Sequence, residues 1–267
     1  MNALVAIGLL RKDGEKYGNS TEAQEYLVRD SPKYAGHLLL LQDAEWDNWG
    51  KLEAAVRSGE SPVKDHLFRS DPRLAENVLM VLHHVALQHA PTLARQLDLG
   101  AARMLLDLGG GAGTYAVALC QAYPSLQAIV FDLPETLATT ARVVKEAGLE
   151  QRIKLLAGDF HRDPLGGPYD AVLMSDILHY QDPQANAALV RKVHDALASG
   201  GRLIVKDRFL DENRTSPAWT AVFAVHLLVN TRGGRCYTLS EAHQWLQDAG
   251  FRQVHELDRS SLVEGLK

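Results

Sequence analysis

The sequence contains very little cysteine, and this scarcity limits the kinds of site it could build. Cys120 and Cys236 are the only cysteines among 267 residues, and neither belongs to a CxxC pair. Two isolated thiols cannot supply a disulfide framework, and they lack the spacing of a structural zinc site. We therefore expect a reduced, cytoplasmic protein that needs no metal.

The chain also lacks a basic cluster and a long apolar run. Its formal net charge is −5, from 28 Lys and Arg against 33 Asp and Glu. Proteins that bind nucleic acids usually concentrate basic residues on one face, because neutralising phosphates supplies much of the affinity. The apolar run at 4–10 is too short to cross a bilayer, and no basic stretch precedes it. These absences argue against nucleic acid and membrane partners and favour a small-molecule substrate.

The two parts of the chain differ in their hydrophobic pattern. Residues 1–100 show helical spacing, with a polar turn at 12–19 and no convincing strand. Residues 101–267 alternate short apolar strands with amphipathic helices. We expect strands at 104–108, 128–131, 153–157, 171–174 and 203–205, and a final hairpin of 252–257 and 261–266. This alternation predicts an α/β fold, in which a mostly parallel, Rossmann-like sheet is covered on both faces and preceded by a helical N-terminal region.

Local signals place several helix ends. Gly148 and Gly200 are expected to follow helices, because glycine readily adopts the left-handed backbone that ends them. Thr238 and Glu241 have the spacing of a capping box at the start of the last helix. An apolar helix at 217–229 interrupts the alternation of strands and helices.

A glycine-rich loop follows the first strand of the sheet and opens a helix. Its glycines are Gly109, Gly110, Gly111 and Gly113. A dinucleotide loop of the form GxGxxG would carry a third glycine where this chain has Thr114, and Asp107 would be unfavourable beside a pyrophosphate. The same carboxylate would attract the positive charge of S-adenosyl-L-methionine. The loop thus favours this cofactor over NAD, with a dehydrogenase or a turn without ligand as alternatives.

Polar residues also follow the next two strands. Asp132 and Leu133 end the second strand, where a carboxylate can accept hydrogen bonds from the ribose hydroxyls of either cofactor. An N-cap of the following helix is the alternative for Asp132. Gly158, Asp159 and Phe160 end the third strand. Asp159 could accept a hydrogen bond from the adenine amino group while Phe160 packs on the ring, which favours the methyl donor.

These three segments, together with 175–179, resemble the S-adenosylmethionine-dependent small-molecule O-methyltransferases of the plant caffeate and bacterial antibiotic-tailoring type. The resemblance extends from about residue 8 to about residue 256. It implies the class I methyltransferase fold, with seven strands of which the last in sequence is inserted antiparallel. It also implies a small-molecule acceptor and a homodimer formed through the N-terminal helices. The match starts inside the family's N-terminal dimerisation domain, so we expect the front part of that domain to be missing.

The catalytic base is expected after the fourth strand. His179 lies there, and catalytic groups of open α/β sheets collect beyond the carboxyl ends of strands. An imidazole is the usual general base for a hydroxyl at neutral pH, although a histidine after an apolar run is more often structural. The resemblance aligns His179 with the family's base, Asp207 with an acid that supports it, and Ser175 with a lysine that faces the cofactor.

Three positions depart from the plant enzymes. Tyr180 replaces an aspartate after the base, Cys236 replaces a glutamate that orients it, and Ser175 replaces the lysine. If these alignments with the family hold, Asp207 alone orients His179. These departures are compatible with an O-methyltransferase, but also with a C- or N-methyltransferase of the same fold or a non-catalytic, cofactor-binding dimer subunit. We expect the acceptor pocket to be lined by Met80, His84, Trp219, Phe223 and His226.

Overall fold

The N-terminal region consists of helices and one small hairpin. The computed structural model describes residues 1–31, 33–63, 72–258 and 261–267. In chain order, the first elements are α1 (Asn2–Ala6), β1 (Leu10–Asp13), β2 (Lys16–Asn19), α2 (Thr21–Tyr26), α3 (Gly36–Trp49), α4 (Leu52–Ser58) and α5 (Pro72–Gln96).

The hairpin corrects the expectation of a polar turn at 12–19 and of no strand in this region. β1 and β2 pair antiparallel, from Leu10 opposite Asn19 to Asp13 opposite Lys16. Gly14 lies in the turn with a φ of 57°, a left-handed backbone that suits glycine. Each strand has four residues and most of them are exposed. They therefore lack the apolar alternation by which a half-buried strand is recognised.

The rest of the chain forms a seven-stranded sheet with helices on both faces. Its strands are β3 (Met104–Leu108), β4 (Gln127–Asp132), β5 (Ile153–Ala157), β6 (Tyr169–Ser175), β7 (Leu197–Lys206), β8 (Arg252–Asp258) and β9 (Leu262–Leu266). The helices are α6 (Thr114–Ala122), α7 (Leu137–Glu146), α8 (Pro183–Ala196), α9 (Ala218–Asn230) and α10 (Leu239–Asp248). The strand order is β5-β4-β3-β6-β7-β9-β8. β9 is antiparallel to both of its neighbours and the other pairs are parallel, which confirms the expected fold class.

The sheet is buried on both faces, as its apolar strands predicted. Leu106 and Leu108 of β3 belong to a core cluster on one face, while Leu105 belongs to a second cluster on the other. α5 packs against α3 and α6, and so connects the N-terminal region to the sheet. Within the described ranges, every helix is too short or too polar to cross a bilayer.

Most helix ends follow the local signals. The capping box forms, with the Thr238 side chain accepting from the Glu241 amide and the Glu241 side chain accepting from the Thr238 amide. Gly148 follows α7 with a φ of 67°. Gly200 does not end a helix, because α8 ends at Ala196 and β7 begins at the next residue.

The strand order places a crevice at the middle of the sheet. From β3 the chain moves outward to β4 and β5, then returns to the opposite side of β3 with β6. Loops that leave β3 and β6 therefore diverge, and ligands of open α/β sheets bind in the crevice between such loops. The glycine loop follows β3 and His179 follows β6, so both lie at this crevice.

Candidate active site

The glycine loop lines one wall of a cavity of about 310 Å³. Gly109, Gly110 and Gly111 contribute to this wall, together with Asp107 and Ser175. A Cβ atom on Gly110 would lie 2.7 Å from the Asp107 Cγ, so no larger residue fits there without a shift. Gly113 lies outside the wall and precedes α6 with a φ of 74°. The loop thus brings bare backbone to a cavity of ligand size.

Asp107 has a carboxylate oxygen that no hydrogen bond satisfies. The residue is 1% exposed, and its Oδ2 accepts from the Ala116 amide at 3.2 Å. Its Oδ1 is buried without a partner among the described residues. Burial raises the pKa of this carboxyl to about 7, and the nearby Asp132 adds to the effect while the Ala116 amide opposes it. A buried oxygen of this kind is costly unless a ligand supplies a donor or a positive charge.

Asp132 accepts a hydrogen bond from the glycine loop. Its Oδ2 accepts from the Gly111 amide at 2.7 Å, and its Oδ1 accepts from the Leu133 amide at 2.7 Å. Burial raises the pKa of Asp132 above its ordinary value. The alternative of an N-cap is wrong, because α7 begins after Thr136. Each carboxylate oxygen retains a second lone pair, so contact with a ribose hydroxyl stays a prediction for Asp132 and Leu133.

The third strand tip lies beside the second. The Gly158 amide donates to the Asp132 carbonyl at 2.9 Å. The Asp159 Oδ1 accepts from the His161 amide at 3.0 Å. Phe160 lines a second and larger cavity, of about 1180 Å³. The predicted roles of Asp159 and Phe160 at adenine remain predictions, but the structure does bring both residues to the same edge of the sheet as the glycine loop.

His179 and Asp207 form a buried pair. His179 lies in a turn of 3-10 helix, Leu178–Tyr180, after β6, and Asp207 directly follows β7. The distance from His179 Nδ1 to Asp207 Oδ1 is 2.6 Å, and the two residues are 1% and 2% exposed. The Arg208 amide donates to the same oxygen at 2.7 Å, and the His179 amide donates to Oδ2 at 3.3 Å. His179 lines the larger cavity, whereas Asp207 lines the smaller one.

Tyr180 and Cys236 stand where the plant enzymes have acids, and here Asp207 is the acid that hydrogen-bonds to the His179 ring. The Cys236 thiol donates to the Thr220 carbonyl at 3.5 Å, and burial raises its pKa to about 12. The Tyr180 ring lies 4.3 Å from the His179 ring, centroid to centroid, and burial raises the pKa of its hydroxyl to about 12. Both groups are therefore protonated at neutral pH, and neither supplies a negative charge to the imidazole.

A group of charged residues at the junction of the two cavities was missed from the sequence. Asp176 has a left-handed backbone, with a φ of 57°, and bonds to Lys206 Nζ at 2.7 Å and Arg208 Nη1 at 3.2 Å. Burial alone would raise the pKa of Asp176, but the two cations hold it below its ordinary value. Asp176 and Arg208 line both cavities. The only sequence signal was their position, directly after Ser175 and Asp207.

The larger cavity is lined by residues of α3, α5 and α9. Trp219, Phe223 and His226 lie in its wall as expected. Met80 and His84 are absent from the wall, so the expectation for them was wrong. The α5 residues in the wall are Val78, Val81, Leu82 and Val85. Met80 and His84 lie on other sides of the helix. Met80 Sδ is 3.6 Å from Arg142 Nη2, and the His84 ring stacks near the His37 ring.

Glu45 also lines this cavity and was missed. It lies one helical turn from Leu41 and from Trp49, within the apolar stripe of α3. A carboxylate inside such a stripe is the sequence signal that could have identified it.

Comparisons with known proteins identify the family of this chain. A model of the O-methyltransferase domain matches residues 49–252. The tetracenomycin polyketide 8-O-methyltransferase TcmO of Streptomyces glaucescens is 35% identical over 99% of this chain and 78% of its own length. The N,N-dimethyltransferase OxyT of Streptomyces rimosus is 32% identical over 97% of this chain and 77% of its own. The structure of PigF with SAH, a protein known from Serratia, covers 100% of this chain and 83% of its own, with a TM-score of 0.89 and 26% identity.

Proposed function

This chain belongs to the O-methyltransferase domain family and uses S-adenosylmethionine, and we propose that it methylates a hydroxyl of an aromatic, polyketide-like small molecule. The observation that carries the proposal is the buried pair of His179 and Asp207, which sits between a glycine-loop cavity and a large cavity with aromatic walls. A cavity of about 1180 Å³ is large enough for a polycyclic acceptor.

The residues at the three strand tips fit the cofactor. When bound, S-adenosylmethionine supplies an electrophilic methyl group on a positively charged sulfur. The unpaired Oδ1 of Asp107 would offset the positive charge of the cofactor, and the loop glycines would let it approach the backbone. Asp132 and Leu133 would face the ribose. Gly158, Asp159 and Phe160 would face the adenine, and Ser175 would close the cavity on the side of β6.

His179 would act as the general base. Its Nδ1–H donates to Asp207, which leaves Nε2 as the nitrogen that can take a proton from the acceptor hydroxyl. The carboxylate of Asp207 fixes this tautomer and stabilises the imidazolium that forms, as in other buried histidine–carboxylate pairs. S-adenosylmethionine would supply the methyl carbon that the deprotonated oxygen attacks, and its sulfur would leave with the electron pair of the broken C–S bond as the neutral thioether of S-adenosylhomocysteine. The rest of the acceleration would come from aligning oxygen, carbon and sulfur in the closed crevice.

The proposal can be tested with methyl-labelled cofactor and a panel of phenols. We expect His179→Ala to lower kcat/KM on the best acceptor by about 10² to 10⁴ while cofactor binding is retained, because a positioned base contributes on this scale. His255→Ala is a matched control, since His255 lies on the exposed edge strand β8. Full activity of His179→Ala would remove the assignment of the base.

Transfer to nitrogen is the second candidate, because OxyT is named as an N,N-dimethyltransferase. Among the described residues Asp207 is the acid that hydrogen-bonds to the His179 ring, and this arrangement is also compatible with an enzyme that works mainly by positioning, on nitrogen or carbon. NMR of the product identifies the methylated atom. A methyl group on nitrogen or carbon would replace the proposal of a hydroxyl acceptor.

We also infer that two copies pair through the N-terminal helices. Leu39 and Trp46 of α3 and Val56 of α4 are 58%, 76% and 62% exposed. Exposed apolar side chains mark a protein interface where they form a contiguous patch. Light scattering after size-exclusion chromatography should give twice the mass of the chain, and a monomer at assay concentrations would contradict the inference.

A further inference from the structure

Glu45 is a buried acid in the wall of the acceptor cavity. It lies on α3, is 3% exposed and lines the larger cavity. Its Oε2 is buried and has no hydrogen-bond partner among the described residues. Buried carboxylates are rarely left in this state, because an unmade hydrogen bond to a charged oxygen is costly. Because Glu45 lines the cavity, a ligand bound there could supply a donor to this carboxylate.

His226 is close to this oxygen but cannot satisfy it. The distance from His226 Nδ1 to Glu45 Oε2 is 3.7 Å, beyond hydrogen-bond range. The side chain of Asn48 donates to Asn230 Oδ1 at 3.0 Å, which directs the Asn230 amide N–H toward His226 Nδ1 at 3.2 Å. Nδ1 is therefore an acceptor and carries no proton for Glu45. Burial lowers the pKa of His226, with His179 and Arg208 adding to the effect, and so favours the neutral ring that this network requires.

The Glu45 carboxyl has a pKa close to neutral pH. Burial raises its pKa to about 7, and a side-chain hydrogen bond with Trp49 offsets part of the shift. A hydroxyl group suits such a partner, because it can donate to the ionised carboxylate and accept from the protonated carboxyl. An ammonium group suits it less, since Arg208 already brings a positive charge to the same cavity.

An aromatic wall connects Glu45 to the catalytic pair. The His226 ring stacks on Phe223, with centroids 5.3 Å apart and planes at 13°. The Phe223 ring meets the His179 ring edge to face, also with centroids 5.3 Å apart. Since His179 and Glu45 line the same cavity, a polycyclic acceptor would have one end at His179 and the other near Glu45.

We propose that Glu45 selects acceptors by binding a second hydroxyl group, at the end of the molecule remote from the oxygen that His179 deprotonates. The inference rests on the proposed function, since it takes the acceptor to be an aromatic hydroxyl compound. It adds a specificity-determining residue from the N-terminal region to the site that the sheet provides.

Paired probes test the proposal: a naphthol, and naphthalenediols that carry a second hydroxyl on the far ring. Their dissociation constants are measured by calorimetry on the full chain saturated with S-adenosylhomocysteine, and methyl transfer is followed separately. We expect the wild-type protein to bind the best diol about ten- to a hundred-fold more tightly than the naphthol, as a hydrogen bond to a charged group allows. In Glu45→Leu this preference should disappear, while affinity for the naphthol is kept or improved.

Two further variants make the result specific. Glu45→Gln retains the shape and an acceptor oxygen, so it should keep part of the preference and guards against misfolding of the leucine variant. Asp43→Leu removes an exposed carboxylate from the same helix and should leave the preference unchanged. Equal preference in the wild type and both Glu45 variants overturns the proposal, and so does the absence of binding of either probe to the wild type. A Glu45-dependent preference without methylation of oxygen would instead support this inference and remove the proposed function.

Discussion

Replacing Asp207 with asparagine should prevent His179 from acting as a base while cofactor binding is retained. Asp207 Oδ1 accepts from the His179 ring at 2.6 Å and from the Arg208 amide at 2.7 Å, and Oδ2 accepts from the His179 amide at 3.3 Å. An asparagine has one acceptor oxygen and one donor group for these three donors. With its oxygen toward the ring, its amide N–H groups face the His179 amide. With its nitrogen toward the ring, they oppose the Arg208 amide and drive the imidazole to the wrong tautomer.

The size of the effect follows from what is lost. Both orientations weaken a charge-assisted hydrogen bond worth about 1.5 to 3 kcal/mol, and the second also removes the base. A positioned base contributes about 10² to 10⁴ in rate. We therefore expect kcat/KM to fall by the same factor in Asp207→Asn, which corresponds to about 3 to 5 kcal/mol of transition-state stabilisation.

Steady-state methyl transfer with labelled cofactor is the assay. The loss should appear in kcat, with the cofactor affinity nearly unchanged, because the other cofactor contacts proposed for the crevice remain. Asp195→Asn is a suitable control, since the Asp195 side chain is 87% exposed. A variant at Asp207 that loses less than about threefold in kcat would refute the argument that this carboxylate controls the histidine.

Two further predictions concern the glycine loop. Burial raises the pKa of Asp107 from 3.8 to about 7. The folded apoprotein therefore loses stability as the pH rises from about 4 to about 7, because the carboxyl ionises more readily in the unfolded chain. Cofactor affinity should change in the opposite sense and fall below about pH 7, because the proposed contact needs the ionised carboxylate. Calorimetry between about pH 8 and pH 6 should show affinity for S-adenosylmethionine weakening by up to about tenfold per pH unit, and Asp107→Asn should remove the slope. Gly110→Ala places a Cβ 2.7 Å from Asp107 Cγ and 2.9 Å from Val130 Cγ1, so it should lower stability by about 1 to 3 kcal/mol in thermal melts. Gly18→Ala meets no atom within 4 Å and should be close to neutral.

The sheet and the place of the site could be predicted because their signals are local in sequence. An apolar strand such as Met104–Leu108 is buried on both faces, and the structure gives it the predicted bounds. The carboxyl ends of parallel strands lie at one edge of the sheet, so residues that follow different strands must come together there. His179 and Asp207 are 28 positions apart, yet β6 and β7 are neighbours and the two side chains meet.

The acceptor side could not be predicted in the same way, because it depends on how helices turn toward the sheet. Periodicity shows that α5 has an apolar stripe but not which neighbour covers it, and so Met80 was assigned to the cavity in error. Glu45 reaches the cavity through the packing of α3 against α5 and α9. The hairpin β1–β2 was missed because its exposed strands carry no apolar alternation.

The two aspartates at the crevice differ in their protonation. Asp107 is buried and Asp176 is half-buried at the same edge of the sheet, yet their pKa values move in opposite directions. None of the described cations offsets the effect of burial on Asp107, so burial dominates and raises its pKa to about 7. Asp176 holds Lys206 and Arg208, so it stays ionised, and a carboxylate with such a low pKa is a poor proton acceptor. Asp176 is therefore a fixed charge where the cavities meet, which is consistent with His179 as the proposed acceptor of the hydroxyl proton.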